Sequence, residues 1–385
     1  MERIAVPERA DWRARAAELG FSFHTSPSSD GGAPYWTEDA AYLFTAAEVD
    51  AIEDATTELD GMCLDAVERV VKRGLYEPFG FDRASAELIE ASWKRRDRNL
   101  YGRFDLSLMP GQPPKLLEYN ADTPTALFEA SVVQWEWLQS QFPDADQFNS
   151  IHEKLVDAWT RLELPGRALH FTCVRDHDED RGTVDYLRDT AMQAGLGTTF
   201  LTIDRIGWDG RDFVDEEDAP IRTLFKLYPW EWLVREHFAA NIGRSSLRII
   251  EPAWKMVLSN KAVLSLLWSM FPDHPNLLPA AFRPEDIEGP LVEKPLLGRE
   301  GANVRLFERG HGAGATTVSD GEYGGAGVIY QALAPLPAFT GANGRSNHAV
   351  IGSWVIASQA AGVGIREDDG PITRNSSRFV PHLFR

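Results

Sequence analysis

The chain has 385 residues, 43% hydrophobic and 25% charged, the balance of a globular protein with about two to three domain-sized units. Its net charge of −19 argues against a nucleic-acid partner, which needs a basic face to meet phosphate, and suits a cationic ligand. Cys63 and Cys173 lie far apart in apolar surroundings and form no CxxC pair, so a reducing compartment is expected. The opening residues lack an apolar signal core, and runs such as "AVLSLLW" are too short to span a bilayer. These features predict a cytoplasmic protein with no membrane partner.

Thr45-Ala-Ala-Glu48 reads as a capping box. Behind it Val49, Ile52, Leu59, Cys63, Val67 and Val70 recur at helical spacing, and Gly74 ends the helix. A second helix is predicted over about 84–97. Next, "YGRFDLSLMPGQPPKLLEYN" places two alternating runs around Gly111-Gln112-Pro113-Pro114, a β-hairpin with a longer loop. Thr123-Pro124 then predicts a helix start, with Thr123 as N-cap. From about Ala168 strands and a helix alternate in an α/β segment. Ser259 is the expected cap of the helix in "NKAVLSLLWSMF". Beyond Pro279 the chain is rich in glycine and strands, and 310–327 reads as a loop and mobile turn region.

The hairpin alternation puts Arg103, Asp105 and Ser107 on one face of the first strand, with Glu118 and Asn120 on one face of the second. A turn centred between Gln112 and Pro113 pairs Asp105 with Asn120 and Ser107 with Glu118. Opposed residues point to the same side, so Arg103, Asp105, Glu118, Asn120 and Asp122 share a face. Two readings account for it: a solvated surface, or hard oxygen ligands for Mg²⁺ beside an arginine suited to phosphate. The absence of His and Cys disfavours zinc.

"LVEKPLLGREGANV" reads as strand, glycine-rich turn, strand. Gly298 and Gly301 flank Arg299-Glu300, and such a turn can lay backbone N–H groups over phosphates, although it matches neither a Walker motif nor GxGxxG. Lys261 falls in the first turn of its helix, where the partial positive charge disfavours a cation unless an anion is also held there. Lys294 lies in an apolar strand and needs a partner, which Glu293 on the opposite face does not supply. Tyr330-Gln331 ends an apolar strand before a hinge and could offer backbone groups to a purine; an ordinary strand end is the plainer reading.

Taken together, "RFD", "LLEYNADTPT", "KLYPWEW", "LSNKAVL", "EKPLLGREGANV", "GSWVI" and "GVGIREDDGPITRNSSRFVPH" resemble the synthetase part of the glutathionylspermidine synthase family, in order and over nearly the whole chain. The resemblance implies an ATP-grasp ligase fold of the α/β (α+β) class, with mixed and antiparallel sheets flanked by helices. It implies ATP and Mg²⁺ as cofactors and an amide formed through an acyl-phosphate between a thiol peptide or amino-acid carboxylate and a polyamine or other amine. By motif, Asp105, Glu118 and Asn120 match the magnesium ligands, Arg103 and Arg366 match catalytic phosphate-stabilising arginines, and Lys261 and Lys294 match the ATP-phosphate lysines. The loop Gly298, Arg299, Glu300 and Gly301 matches the lid, and Thr123 and Thr125 fall near the peptide substrate.

Four regions are expected within one synthetase unit: a helical scaffold (1–100), the metal-binding hairpin and following helix (101–165), an α/β substrate-side part (166–255) and a nucleotide-binding part with the lid (256–385). The chain begins with the synthetase portion, so the amidase activity of bifunctional members is not expected. Where the family pattern has an acidic residue just before a Thr, this chain has Gly182, with Glu179 and Asp180 as the nearest acids. The competing possibilities are a ligase for a different acid–amine pair and a nucleotide- or peptide-binding protein that does no ligation. A two-carboxylate hydrolase would not need both lysines and a glycine-rich flap.

Overall fold

The computed structural model describes residues 1–25, 34–164, 168–321, 323, 325, 327–341, 344 and 346–385. The chain enters through β1 (Glu2–Ala5) and β2 (Ala40–Phe44). Thr45 and Glu48 then form the expected capping box, and Gly74, at φ +67°, closes the long helix α1 (Ala46–Arg73). The apolar stripe of α1 is buried, and α2 (Arg83–Arg95) follows. The hairpin is β3 (Tyr101–Ser107) and β4 (Lys115–Asn120). A π-helical turn over Glu129–Val133 leads into α3 (Gln134–Gln141), followed by α4 (Ile151–Thr160).

The α/β segment comprises β5 (Ala168–Cys173), α5 (Asp178–Gln193), β6 (Gly197–Phe200), β7 (Thr223–Leu227), the short α6 (Trp230–Leu233) and β8 (Arg248–Ile250). After α7 (Ala262–Met270) come β9 (Ala280–Ala281), β10 (Leu291–Pro295), β11 (Arg305–Phe307), β12 (Thr317–Val318) and β13 (Val328–Ala332). The chain finishes with β14 (Ala338–Thr340), β15 (Ser346–Ile356), β16 (Gln359–Asp368), β17 (Arg378–Val380) and β18 (His382–Phe384).

These strands build a central sheet in the order β17-β16-β15-β3-β4, with β14 also on β15. A parallel sheet runs β8-β7-β5-β6, a third sheet runs β9-β13-β10-β11-β12, and β1-β2-β18 ties the two ends of the chain together. The central sheet carries the hairpin, and β10 of the third sheet brings Lys294 to it. On the core side of the hairpin Phe104 and Tyr119 stack with ring centroids 3.9 Å apart. That apolar face leaves the polar alternation facing outward, as the period of two requires.

Several local expectations are corrected. Regular helix begins at 127, not at Thr123-Pro124, because Ala126 takes φ +67° and breaks the helical entry. Ser259 ends a short helical turn, with its hydroxyl donating to Lys255 O, while Asn260 Oδ1 accepts from Ala262 N at the start of α7. Within 310–327, Thr317–Val318 is a strand that pairs with β11, while Glu322, Gly324 and Ala326 lie outside the described residues. No helix among the described residues is long and apolar enough to cross a membrane.

Candidate active site

The hairpin register differs from the expected one by two residues. Asp105 lies opposite Glu118 and Arg103 opposite Asn120. A shift of two preserves the face, so Arg103, Asp105, Glu118 and Asn120 do share a side. The register slips between Asp105 and Leu106, so Leu117 bulges from β4. Its carbonyl accepts a hydrogen bond from Lys294 Nζ at 2.8 Å, and Gln331 Oε1 accepts another at 2.8 Å. The irregular spot in the hairpin thus supplies the partner that a buried lysine needs.

The four hairpin side chains form one polar network. Arg103 grips Asp105 with Nε at 2.7 Å and Nη2 at 3.1 Å, and its Nη1 donates to Thr125 O at 2.7 Å. Burial opposes the arginine's charge, but Asp105 and Glu118 outweigh it and hold its pKa above the ordinary value. Gly352 on β15 makes this possible, because a Cβ there would stand 2.7 Å from Arg103 Cδ. Asn120 Nδ2 lies 3.1 Å from Asp105 Oδ2 and 3.4 Å from Glu118 Oε1. Amide O and N are interchangeable at such a position, so Asn120 can also offer its oxygen.

The phosphate-type cations meet this face. Lys261 precedes α7; its Nζ lies 3.2 Å from Glu118 Oε2 and donates to Gly298 O at 2.7 Å. Burial pushes the Glu118 pKa up, yet Lys261 and Lys294 overcome it and bring it down to about 2. Burial dominates at Lys294 and lowers its pKa to about 8 despite Glu118. Arg366 donates to the carbonyls of Arg374, Asn375 and Ser377, so it shapes the loop that walls the cleft as well as facing it.

An open cleft of ≈ 870 Å³ collects Arg103, Asp105, Glu118, Asn120, Thr123, Thr125, Lys261, Gly298, Arg299, Glu300 and Arg366. An adjoining groove of ≈ 650 Å³ shares Asp105 and Glu118 with it and holds Lys294, Gln331 and Gly301. Its remaining walls are largely apolar, from Val292, Leu306, Leu333, Leu336 and Ile372. The glycine-rich turn sits over the junction; Gly301, at φ +66°, packs so closely on Thr373 O that a Cβ would collide with it.

Tyr330 is not brought into the cleft. It packs beside Ile287, Leu291 and Phe307 on the other side of β13. Tyr330 and Gln331 also pair with strands on both sides, β9 and β10, so their backbone groups are committed to the sheet. The hinge beyond them, Leu333 to Leu336, borders the groove instead. Thr123 is buried, and among the described residues its hydroxyl has no hydrogen-bond partner. Asp122 leaves the shared face altogether: it accepts from Lys226 Nζ at 2.6 Å and Trp230 N at 2.8 Å in the interior.

A further buried acid is not legible in the sequence. Glu129 points inward from the π-helical turn and accepts from Tyr35 Oη at 2.5 Å; its other oxygen has no partner among the described residues. Burial, with Glu179 adding repulsion, raises its pKa to about 7. Burial raises Glu179 as well, against the pull of Arg366. A glutamate before a hydrophobic helical run gives no hint of this. Cys63 and Cys173 are both buried, and burial pushes the Cys173 thiol up to about 12.

Among the described residues no three His, Cys, Asp or Glu side chains cluster as a metal site. The Asp105, Glu118 and Asn120 set is of another kind, two carboxylates and an amide opening onto a cation-lined cleft. That set suits a divalent ion that keeps several waters and takes further oxygens from a phosphate.

A glycine-rich turn and lysines over a carboxylate–amide face, set between two sheets, define an ATP-grasp architecture. The whole chain overlays on a glutathione synthetase-like effector from Globodera pallida, with a TM-score of 0.61, 10% identity, and coverage of 99% of this chain and 100% of that one. The family model for glutathionylspermidine synthase preATP-grasp matches residues 3–385, and the chain belongs to this family. A Haemophilus influenzae protein whose name places it among acid–amine ligases is 45% identical, with 100% of each chain covered. Trypanothione synthetase of Crithidia fasciculata is 29% identical over 75% of this chain and 48% of its own length. The bifunctional glutathionylspermidine synthetase/amidase of Escherichia coli is 26% identical over 88% of this chain and 58% of its own length. The chain thus spans about half of these longer relatives and the full length of the Haemophilus protein.

Proposed function

We propose that the protein is an ATP-dependent carboxylate–amine ligase that makes an amide through an acyl-phosphate. The observation that carries this reading is one cleft that sets Arg103, Lys261, Arg299 and Arg366 against the Asp105, Glu118 and Asn120 face. Cations and carboxylates side by side suit a polyphosphate carried together with a divalent ion. The adjoining apolar groove suits a flat purine, with Lys294 at the phosphate end. Asp105, Glu118 and Asn120 would hold Mg²⁺, which when bound neutralises charge on the transferring phosphoryl group.

The protein's own part is positioning and electrostatics. Lys261 and Lys294 hold the polyphosphate. Arg103 orients the acid's carboxylate against the γ-phosphorus and meets the charge that develops there. The Thr123 hydroxyl, without a partner among the described residues, and Thr125 line the acid's path. Carboxylate oxygen attacks phosphorus, ADP leaves, and the neutral amine then displaces phosphate from the acyl-phosphate. The loop from Gly298 to Gly301 would shield that reactive species from water. Glu129 and Glu179 both feel the charge of Arg366, and acids in that neighbourhood suit a cationic amine, in keeping with the polyamine-type substrate named for the Escherichia coli relative.

A matrix of thiol peptides, amino acids and polyamines tests this, with ADP formation and product mass as readouts. ADP should appear only when an acid and an amine are both present, with a product of the condensed mass. ATP binding without ADP from any pair would instead favour a nucleotide-binding protein that performs no ligation.

A further inference from the structure

Lys261 and Arg299, like Arg103 and Arg366, are held by acceptors of the protein itself. Lys261 donates to Gly298 O and faces Glu118. Arg299, in the glycine-rich turn, has its Nε 3.4 Å from Glu231 Oε1, with its guanidinium 5.8 Å from the centre of the Trp232 ring. Glu231 is not free to drift. The neighbouring Trp230 is fixed by its N–H on Asp122 Oδ2 at 2.8 Å, by its indole Nε1 on Glu251 O at 2.9 Å, and by Lys226 Nζ 4.8 Å from its ring centre. Lys226 is in turn bound to Asp122 at 2.6 Å. The end of β4 therefore sets the position of Glu231 through buried, fully engaged groups.

The two ion pairs in this chain of contacts differ in kind. The Asp122–Lys226 side chains are 1% and 0% exposed, whereas those of Glu231 and Arg299 are 14% and 28% exposed. A separation of 3.4 Å is long for a charge-assisted hydrogen bond. Both Glu231 and Arg299 border the same cleft. A rigidly placed carboxylate thus faces a loosely held arginine on the glycine-rich turn.

We propose that Glu231 is a resting-state acceptor for Arg299 and competes with the ATP polyphosphate for it. Arg299 exchanges Glu231 for phosphate as the turn settles over the nucleotide, and the Asp122–Lys226 pair is the fixed point that keeps Glu231 in competition. Glu231 is thus a positioning residue that tunes nucleotide affinity without touching the reacting atoms. This rests on the reading of the cleft as an ATP site.

The test is a double-mutant cycle on equilibrium binding of ATP with Mg²⁺, without acid or amine, using wild type, Glu231→Gln, Arg299→Gln and the double variant. Glu231→Gln should tighten ATP binding by about fivefold, the scale of a partly exposed ion pair, with a thermal midpoint near that of wild type. Arg299→Gln should weaken binding, and adding Glu231→Gln to it should change nothing further. Unchanged or weaker binding in Glu231→Gln, or an equal effect in both backgrounds, would overturn the competition. Wild type that binds no ATP would overturn the site reading as well, so the two failures are told apart.

Discussion

Lys226–Asp122 and Lys255–Glu251 on one side, and Lys261–Glu118 and Arg103–Asp105 on the other, are built from the same residue types for opposite ends. The first two pairs are at most 1% exposed, at 2.6 and 2.8 Å. Their remaining hydrogen bonds go to the protein: Glu251 accepts from Leu100 N and Tyr101 N, and Lys255 donates to Tyr101 O. The second two pairs are 9 to 28% exposed and open into the cleft. Buried pairs of the first kind hold β3, β4 and α6 in register, and pairs of the second kind hold charges ready for exchange.

Breaking a pair of the first kind should show up in stability. Asp122→Ala leaves Lys226 buried and unpaired and Trp230 N without its acceptor, and should cost about 3–5 kcal/mol in denaturant unfolding. Breaking a pair of the second kind should show up in rate. Glu118→Ala should lower ATP turnover by about 10²–10³ while the unfolding midpoint stays close to wild type. A large stability loss in Glu118→Ala with residual activity would erase the distinction.

Acidity sharpens the comparison further. Lys294 holds its proton only below about 8 in the free protein, because burial lowers its pKa, and the protonated form is the one that attracts phosphate. The kcat/KM for ATP should therefore fall as pH rises through about 8, approaching tenfold per unit above it. Lys294→Arg keeps its charge and should move that alkaline limb upward. The smallest expected effect is at Thr123. Its buried hydroxyl has no partner among the described residues, so Thr123→Val should leave stability unchanged or slightly higher. The KM for the acid should rise about fivefold with kcat largely kept.

Local patterns carried much of the architecture. The capping box, the apolar stripe of α1 and the parity of the hairpin face follow from periods of 3.6 and 2, and each survives in the structure. The hairpin register does not follow from the alternation, because the bulge at Leu117 interrupts it: Leu116 and Tyr119 are buried, while Leu117 and Glu118 between them are not. The helix after Thr123 starts late because of one positive φ at Ala126, which an alanine does not advertise. The place of Tyr330 outside the cleft is not legible either, because a strand's neighbours on both sides are a property of the sheet. Asp122–Lys226 joins residues 104 apart, and Glu231–Arg299 joins residues 68 apart, so neither partner announces the other. The parts of the cleft that are legible lie within single motifs, and the parts that are not are the contacts between motifs.

The most direct test of the central claim uses the acid that the substrate matrix identifies, labelled with ¹⁸O in its reacting carboxylate. Turnover with ATP and the amine should transfer one ¹⁸O atom into the released inorganic phosphate, the mark of an acyl-phosphate. Amide formation with unlabelled phosphate would contradict the account.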